Sequence, residues 1–311
     1  MAGMTHLAME EAGAVGVSPP SPNDVALSFT RMLSGYSVEV TSRDRRSMDA
    51  AGDELTAGTE VFIAALPGDS VEQLVAAADR LKRAGLVPVP HVVARNIENL
   101  AAADTLLGQL SDAGVDRVLT LGGDRDQPAG ALTDSLQLIQ SGLLQKHGLG
   151  RIFIGCYPEG HPKITTAQLD AARQVKLKMA AQAGMDVTLI SQFCFEAAPI
   201  VDFARRLQAE GVSAPFRVGV AGPADRGLLI KYAMICGVGA SMRFLKNRPE
   251  LAKGVLAGET PEGLLKDLAR AKAAEPALAL DGVHFFTFGS LVKSAHWANA
   301  MLAAPNRTQA S

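Results

Sequence analysis

An α/β chain closing into a (β/α)₈ (TIM) barrel is the fold this sequence predicts, on three observations. Eight short β-rich runs alternate with helical patterns, the signature of parallel βα units. Helical patterns stop at Gly85, Gly114, Gly184 and Gly211, each just ahead of the next β-rich run. The length of 311 residues suits one barrel of about 250 residues with extensions as well as two ordinary domains, and eight strands favour the barrel.

Taken in order, residues 1–25 show no apolar periodicity and carry the cluster Ser18-Pro19-Pro20-Ser21-Pro22, which predicts a loose leader. Strands are expected at Ser37–Thr41, Glu60–Ala65, Val87–Val92, Arg117–Leu121, Arg151–Cys156, Val187–Gln192, Phe216–Val220 and Gly282–Phe288. Between them, Leu74, Val75, Ala78 and Leu81 form one apolar stripe of a helix at Val71–Ala84. Comparable patterns place helices at Asn99–Ala113, Leu132–Lys146, Thr166–Ala183, Ala198–Glu210 and Leu228–Phe244. The Ala-, Glu- and Lys-rich segment Arg248–Pro276 predicts one more helix or helix pair before the last strand. The barrel is thus expected over residues 26–304, with a loose tail at 305–311. A doubly wound sheet gains nothing from phosphate motifs: there is no P-loop, and Gly237-Val-Gly239-Ala-Ser-Met242 lacks the third glycine of a dinucleotide fingerprint.

Hydrophobic residues make up 48% and charged residues 20%, with a mean hydropathy of +0.13, the profile of a soluble globular enzyme. Thirty basic against thirty-two acidic side chains give a formal charge of -2, so no basic field exists to hold a nucleic acid or an anionic membrane. The most apolar stretch, Leu228 to Met242, is interrupted by Lys231 and is too short to span a bilayer. The N-terminus carries Glu10 and Glu11 and lacks the basic-then-apolar layout of a secretory signal. Cys156, Cys194 and Cys236 are an odd number without C-x-x-C spacing, which argues for a reducing cytoplasm rather than a disulfide framework. The expected partners are small molecules, and a homo-oligomer is left open.

In such a barrel the C-terminal strand ends carry the site. Glu39 lies between Val38 and Val40 and so faces inward, where a carboxylate is costly unless paired or used. The third strand ends at Pro90-His91, and the fourth runs into Leu121-Gly122-Gly123-Asp124. The fifth runs into Cys156-Tyr157-Pro158-Glu159-Gly160-His161-Pro162, and the sixth into Ser191-Gln192-Phe193-Cys194-Phe195. Each has an ordinary structural reading: Asp124 as a turn cap, His91 and His161 as core histidines, the cysteines as buried thiols. His91, His161, Asp124 and Glu159 are metal ligands by type, yet no H-x-H or H-x-x-x-H spacing joins them, and no metal is expected. No G-x-S-x-G elbow supports a serine hydrolase.

The order of these segments resembles the methylenetetrahydrofolate reductase family in its short, single-domain bacterial form. The likeness rests on Ser37-Val-Glu39-Val, Pro90-His91, Leu121-Gly-Gly123-Asp124, Tyr157-Pro158-Glu159-x-His161-Pro162, Lys176-Leu-Lys178, Gln192-Phe193-Cys-Phe195 and Gly282-Val-His284-Phe285-Phe286-Thr287, spanning about residues 36–290. The resemblance implies a barrel that binds FAD and uses NADH or NADPH to reduce 5,10-methylenetetrahydrofolate to 5-methyltetrahydrofolate. Glu39 then matches a general acid, an inward carboxyl with a raised pKa that protonates the leaving amine. Asp124 matches the aspartate between flavin and pterin, Gln192 and Phe195 match substrate-binding positions, and His91, Gly123, Asp124, Tyr157, His161 and Lys178 match flavin contacts.

The chain also departs from that pattern. Gly122 and Leu177 stand where the family carries flavin-contacting arginines, Arg226 stands near a stacking aromatic, and Ser290 replaces an arginine after the last strand. Other readings of the same barrel are oxidation of methyltetrahydrofolate after a demethylation, direct nicotinamide-to-folate transfer without flavin, and a non-catalytic folate- or flavin-binding barrel.

Overall fold

The period-2 alternation seen around Glu39 runs through the whole sheet and divides the core in two. In the computed structural model, which describes residues 19–66, 68–161, 163–223 and 260–304, the strands are β1 (Ser37–Thr41), β2 (Glu60–Ala64), β3 (Val87–Val93), β4 (Arg117–Leu121), β5 (Arg151–Cys156), β6 (Asp186–Ser191), β7 (Phe216–Ala221) and β8 (Gly282–Phe286). All pair in parallel and in sequence order, and β8 returns to β1, closing the barrel. Register sets Glu39 opposite Phe62 on one side and Phe286 on the other.

Phe62, Val89, Leu119, Phe153 and Ile190 point inward and form the barrel's interior core, whereas Val38, Val40, Val61 and Ile63 belong to the larger layer between strands and helices. Below the interior core, Glu60 sits between Arg117 and Arg217, with each side chain at most about a quarter exposed. This ion cluster closes the N-terminal mouth and leaves the opposite mouth for a site.

The helices are α1 (Pro22–Leu33), α2 (Arg45–Glu54), α3 (Val71–Arg83), α4 (Leu100–Asp112), α5 (Ser135–Gln140), α6 (Leu143–Lys146), α7 (Thr166–Gln182), α8 (Ala197–Ala209), α9 (Glu262–Ala274) and α10 (Leu291–Ala303). Three of them are not foreseen by the sequence pattern. Residues 22–25, read as leader, are the first turn of α1, where Ser21 and Asp24 form a capping box with Pro22 at the helix start. In α2 only Ser47, Met48 and Ala51 are buried among charged neighbours, and α10 is apolar around most of its girth, so neither shows a clean stripe. The single helix expected at Leu132–Lys146 is two, because Gly142 takes φ +74 between α5 and α6. The last strand stops at Phe286 rather than Phe288. Thr287 turns its hydroxyl to the Glu39 carbonyl at 2.6 Å, and Phe288 adopts φ +48. The helix expected at Leu228–Phe244, the motif at 237–242, Arg226, Cys236 and the tail at 305–311 lie outside the described residues.

Candidate active site

Glu39 projects from β1 into the barrel mouth, and two imidazoles converge on its Oε2: His91 Nε2 from β3 at 3.3 Å and His284 Nε2 from β8 at 3.9 Å. Neither nitrogen has a hydrogen-bond partner of good geometry, although both are buried. Ser37, two residues before Glu39 on the same face, bonds His284 Nδ1 at 2.9 Å and fixes the ring. Phe62 stands edge-on to both imidazoles, with centroids 6.4 and 4.5 Å away. Burial alone would push the Glu39 carboxyl up, but the imidazoles of His284 and His91 outweigh it and hold the pKa at about 2. Burial also lowers His284, against the opposing pull of Glu39. In the free protein the two imidazoles thus favour the carboxylate form of Glu39, the direction opposite to the raised pKa expected of a general acid.

A small cavity of about 80 Å³ opens over this cluster, lined by Glu39, His91, Tyr157, Gln192, His284 and Phe286 among others. Through Leu121, Gly155, Cys156 and Tyr157 it shares a wall with a larger cavity of about 450 Å³. Gly123, Asp124 and His161 line the larger one, so Glu39, His91, Gln192, Tyr157, Asp124, Gly123 and His161 fall within two adjoining spaces. Tyr157 is pushed up to about 12, by burial first and the Asp124 charge second. Burial lowers His161, whose ring meets Tyr157 edge-on at 5.1 Å. Gly123 is irreplaceable in two respects: it takes φ +98, and a Cβ there would lie 2.4 Å from Val93 Cγ1.

The two most specific sequence segments meet directly. Glu159 Oε1 accepts the backbone N–H groups of Phe195 and Glu196 at 2.7 and 3.0 Å, which fixes the Gln192–Phe195 turn just ahead of α8. Gln192 Oε1 accepts from the Phe193 N–H at 3.0 Å. Phe193 packs edge-on against Phe195, Phe286 and Phe288 at 5.2–5.6 Å, a cluster that backs Phe286, the one of the four that lines the small cavity. Burial pushes the Cys156 thiol up to about 12 and Cys194 well above its ordinary value, which makes both poor nucleophiles. Among the described residues, no three histidine, cysteine or carboxylate groups are clustered to hold a metal.

Lys178 is not brought to the site. It lies exposed on α7 and lines neither cavity, whereas Lys176 and Arg173 line the larger one. Two residues along a helix are about 200° apart, so Lys176 and Lys178 cannot share a face, but Arg173 and Lys176 at i, i+3 do. Arg95, which follows β3, also lines that cavity and donates to the carbonyls of Thr133 and Arg125. Sequence reasoning missed Arg173, Lys176, Arg95 and the role of His284. The i, i+3 spacing of Arg173 and Lys176 shows that they share a helix face, but only the fold shows that this face lines the cavity.

The fold and these cavities define a closed parallel barrel with a titratable floor and a polar, ligand-sized side chamber at its C-terminal mouth. The family model described as methylenetetrahydrofolate reductase matches residues 56–245, more than half of the chain, and the protein belongs to that family. The matched stretch includes His91, Asp124, Tyr157, His161 and Gln192, while Glu39 and His284 lie on either side of it. Among solved structures, the chain is similar to a dihydropteroate synthase from Thermus thermophilus, at 15% identity and a TM-score of 0.44, over 85% of this chain and 92% of that one.

Proposed function

We propose that the protein reduces 5,10-methylenetetrahydrofolate to 5-methyltetrahydrofolate at the expense of NADH or NADPH. The carrying observation is Glu39, a carboxylate on the floor of a small cavity that adjoins a larger polar one. Opening the one-carbon bridge produces an iminium cation and a leaving amine that needs a proton. A pterin filling the small cavity removes the remaining water from the Glu39 carboxyl, which takes up a proton from solvent and gives it to the amine as the carbon–nitrogen bond breaks; the carboxylate left behind stabilises the iminium cation until hydride originating in NADH or NADPH reduces it. Gln192, which lines the small cavity, would hold the pterin edge, and Asp124, which lines the larger one, would face the flavin side; Phe195 lines neither cavity and packs on Phe193, so its part is to support the Gln192 turn. His284, oriented by Ser37, and His91 keep Glu39 aimed at the cavity.

The larger cavity suits FAD, the cofactor expected of the family. Gly122 and Gly123 present bare backbone there, a Cβ on Gly122 would meet nothing within 4 Å, and the buried Arg173 Nε has no partner. Gly123, Asp124, Tyr157, His161 and Lys176 would hold the group, with Lys176 taking the place assigned to Lys178, whereas His91 lines the small cavity beside Glu39 instead. A bound flavin supplies a two-electron relay between nicotinamide and folate. No helix of the described residues is long and apolar enough to cross a membrane.

Anaerobic turnover of the methylene donor with NADH and with NADPH tests this reading, run beside oxidation of methyltetrahydrofolate by an artificial acceptor. Reduction that falls by at least 100-fold in Glu39→Gln, with folate binding retained, is the expected outcome (about 10²-fold for a lost general acid). Absence of reduction with either nucleotide, with or without added FAD, refutes it.

A further inference from the structure

The larger cavity is rich in charge, but most of its cations already have partners inside the chain. Lys163, on the loop between β5 and α7, donates to Asp126 on the loop between β4 and α5 at 2.9 Å. Lys176 of α7 lies 3.6 Å from Asp134, the N-cap of α5. Arg173, only 4% exposed, is gripped by Glu210 at 3.0 and 3.1 Å and by Asp170 at 3.1 Å. The lining sets Arg95, Lys163, Arg173, Lys176 and Arg206 against Asp124, Asp126, Asp134 and Asp170, a surplus of one positive charge before Glu210 is counted.

A dinucleotide brings a diphosphate with two negative charges. At Lys163 or Lys176 it competes with Asp126 or Asp134 for the ammonium, and these carboxylates remain beside it as like charges. Each pair joins two elements that line the cavity, the β5–α7 loop to the β4–α5 loop and α7 to the start of α5. The paired side chains are largely exposed, apart from Lys176, which makes the pairs easy to break and sensitive to salt.

We propose that Asp126 and Asp134 determine how tightly this cavity holds a dinucleotide, and that they make it an exchangeable ligand rather than a permanently bound group. The ligand class rests on the folate-reductase reading; its affinity rests on the ion pairs alone. The lysines form the attractive half of the site and the aspartates compete for them, so removing an aspartate charge tightens binding and removing a lysine charge weakens it.

The test is titration of the purified full chain with FAD, NADH and NADPH separately, followed by ligand fluorescence, for wild type, Asp126→Asn, Asp134→Asn, the double variant and Lys176→Gln. Asparagine caps a helix as well as aspartate, so α5 keeps its start in Asp134→Asn. Wild type is expected to lose flavin on desalting. Each Asp→Asn change should tighten the dinucleotide by about threefold and the pair by about tenfold, while Lys176→Gln weakens it. Stoichiometric flavin that survives desalting of wild type, Asp→Asn variants no tighter than wild type, or no dinucleotide binding at all would overturn the proposal. Equilibrium dialysis of methyltetrahydrofolate against wild type separates the two readings. Failure of folate to bind, with the dinucleotide ranking intact, removes the folate-reductase reading and leaves this proposal standing.

Discussion

Glu39→Gln isolates the electrostatics of the site floor from its chemistry. A carboxyl moved from 4.5 to about 2 by folding contributes about 3 kcal/mol to the folded state at neutral pH. The folded value is the lower one, so the contribution is complete above pH 4.5, where the unfolded chain is ionised too. It is lost as the pH falls from 4.5 towards 2. Glutamine has the same shape, still offers an oxygen to His91 and His284, and does not titrate. Urea unfolding followed by circular dichroism, at steps between pH 6 and pH 2.5, should therefore show wild type losing about 2–3 kcal/mol relative to Glu39→Gln. The two curves should be parallel above pH 5. Parallel curves across the entire range would mean that the imidazoles do not hold an ionised Glu39, and the account of the site floor would be wrong.

Further outcomes follow from the same geometry. Because folding favours the carboxylate form of Glu39, binding of methyltetrahydrofolate should take up more protons at pH 5 in wild type than in Glu39→Gln, as read by calorimetry in buffers of different ionisation heat; equal uptake in both rejects Glu39 as the proton's destination. Ser37→Ala strands the buried His284 Nδ1 and should cost about 1–3 kcal/mol of stability, measured by urea unfolding. Glu60→Ala leaves Arg117 and Arg217 facing each other at the closed mouth and should cost about 3 kcal/mol while leaving ligand affinities unchanged. Gly123→Ala meets both a positive φ and the Val93 methyl, and a loss of at least about 2 kcal/mol is expected in thermal unfolding.

Much of the architecture is local and was therefore legible. Alternation around Val38-Glu39-Val40 assigns a face to each residue without knowledge of its neighbours, and the structure keeps both valines in the outer layer and Glu39 in the mouth. Helices α1, α2 and α10 were not legible because their stripes are short, charged or continuous, and only packing against other elements defines them. The segment Tyr157–His161 could be recognised as a motif, but that Glu159 serves to tie down the Phe195 turn is visible only when the two loops are side by side.

By itself, then, the sequence determined the barrel, its direction, the inward carboxylate and the run of polar strand ends, because periodicity and strand order depend on residues near one another in the chain. Tertiary structure alone decided which lysine of α7 faces the cavity, that His91 and His284 converge on one carboxylate oxygen, and that the cavity's cations are already matched by Asp126 and Asp134. Those are distances between residues from 37 to 245 positions apart, and charge interactions fall off with distance in space, not along the chain.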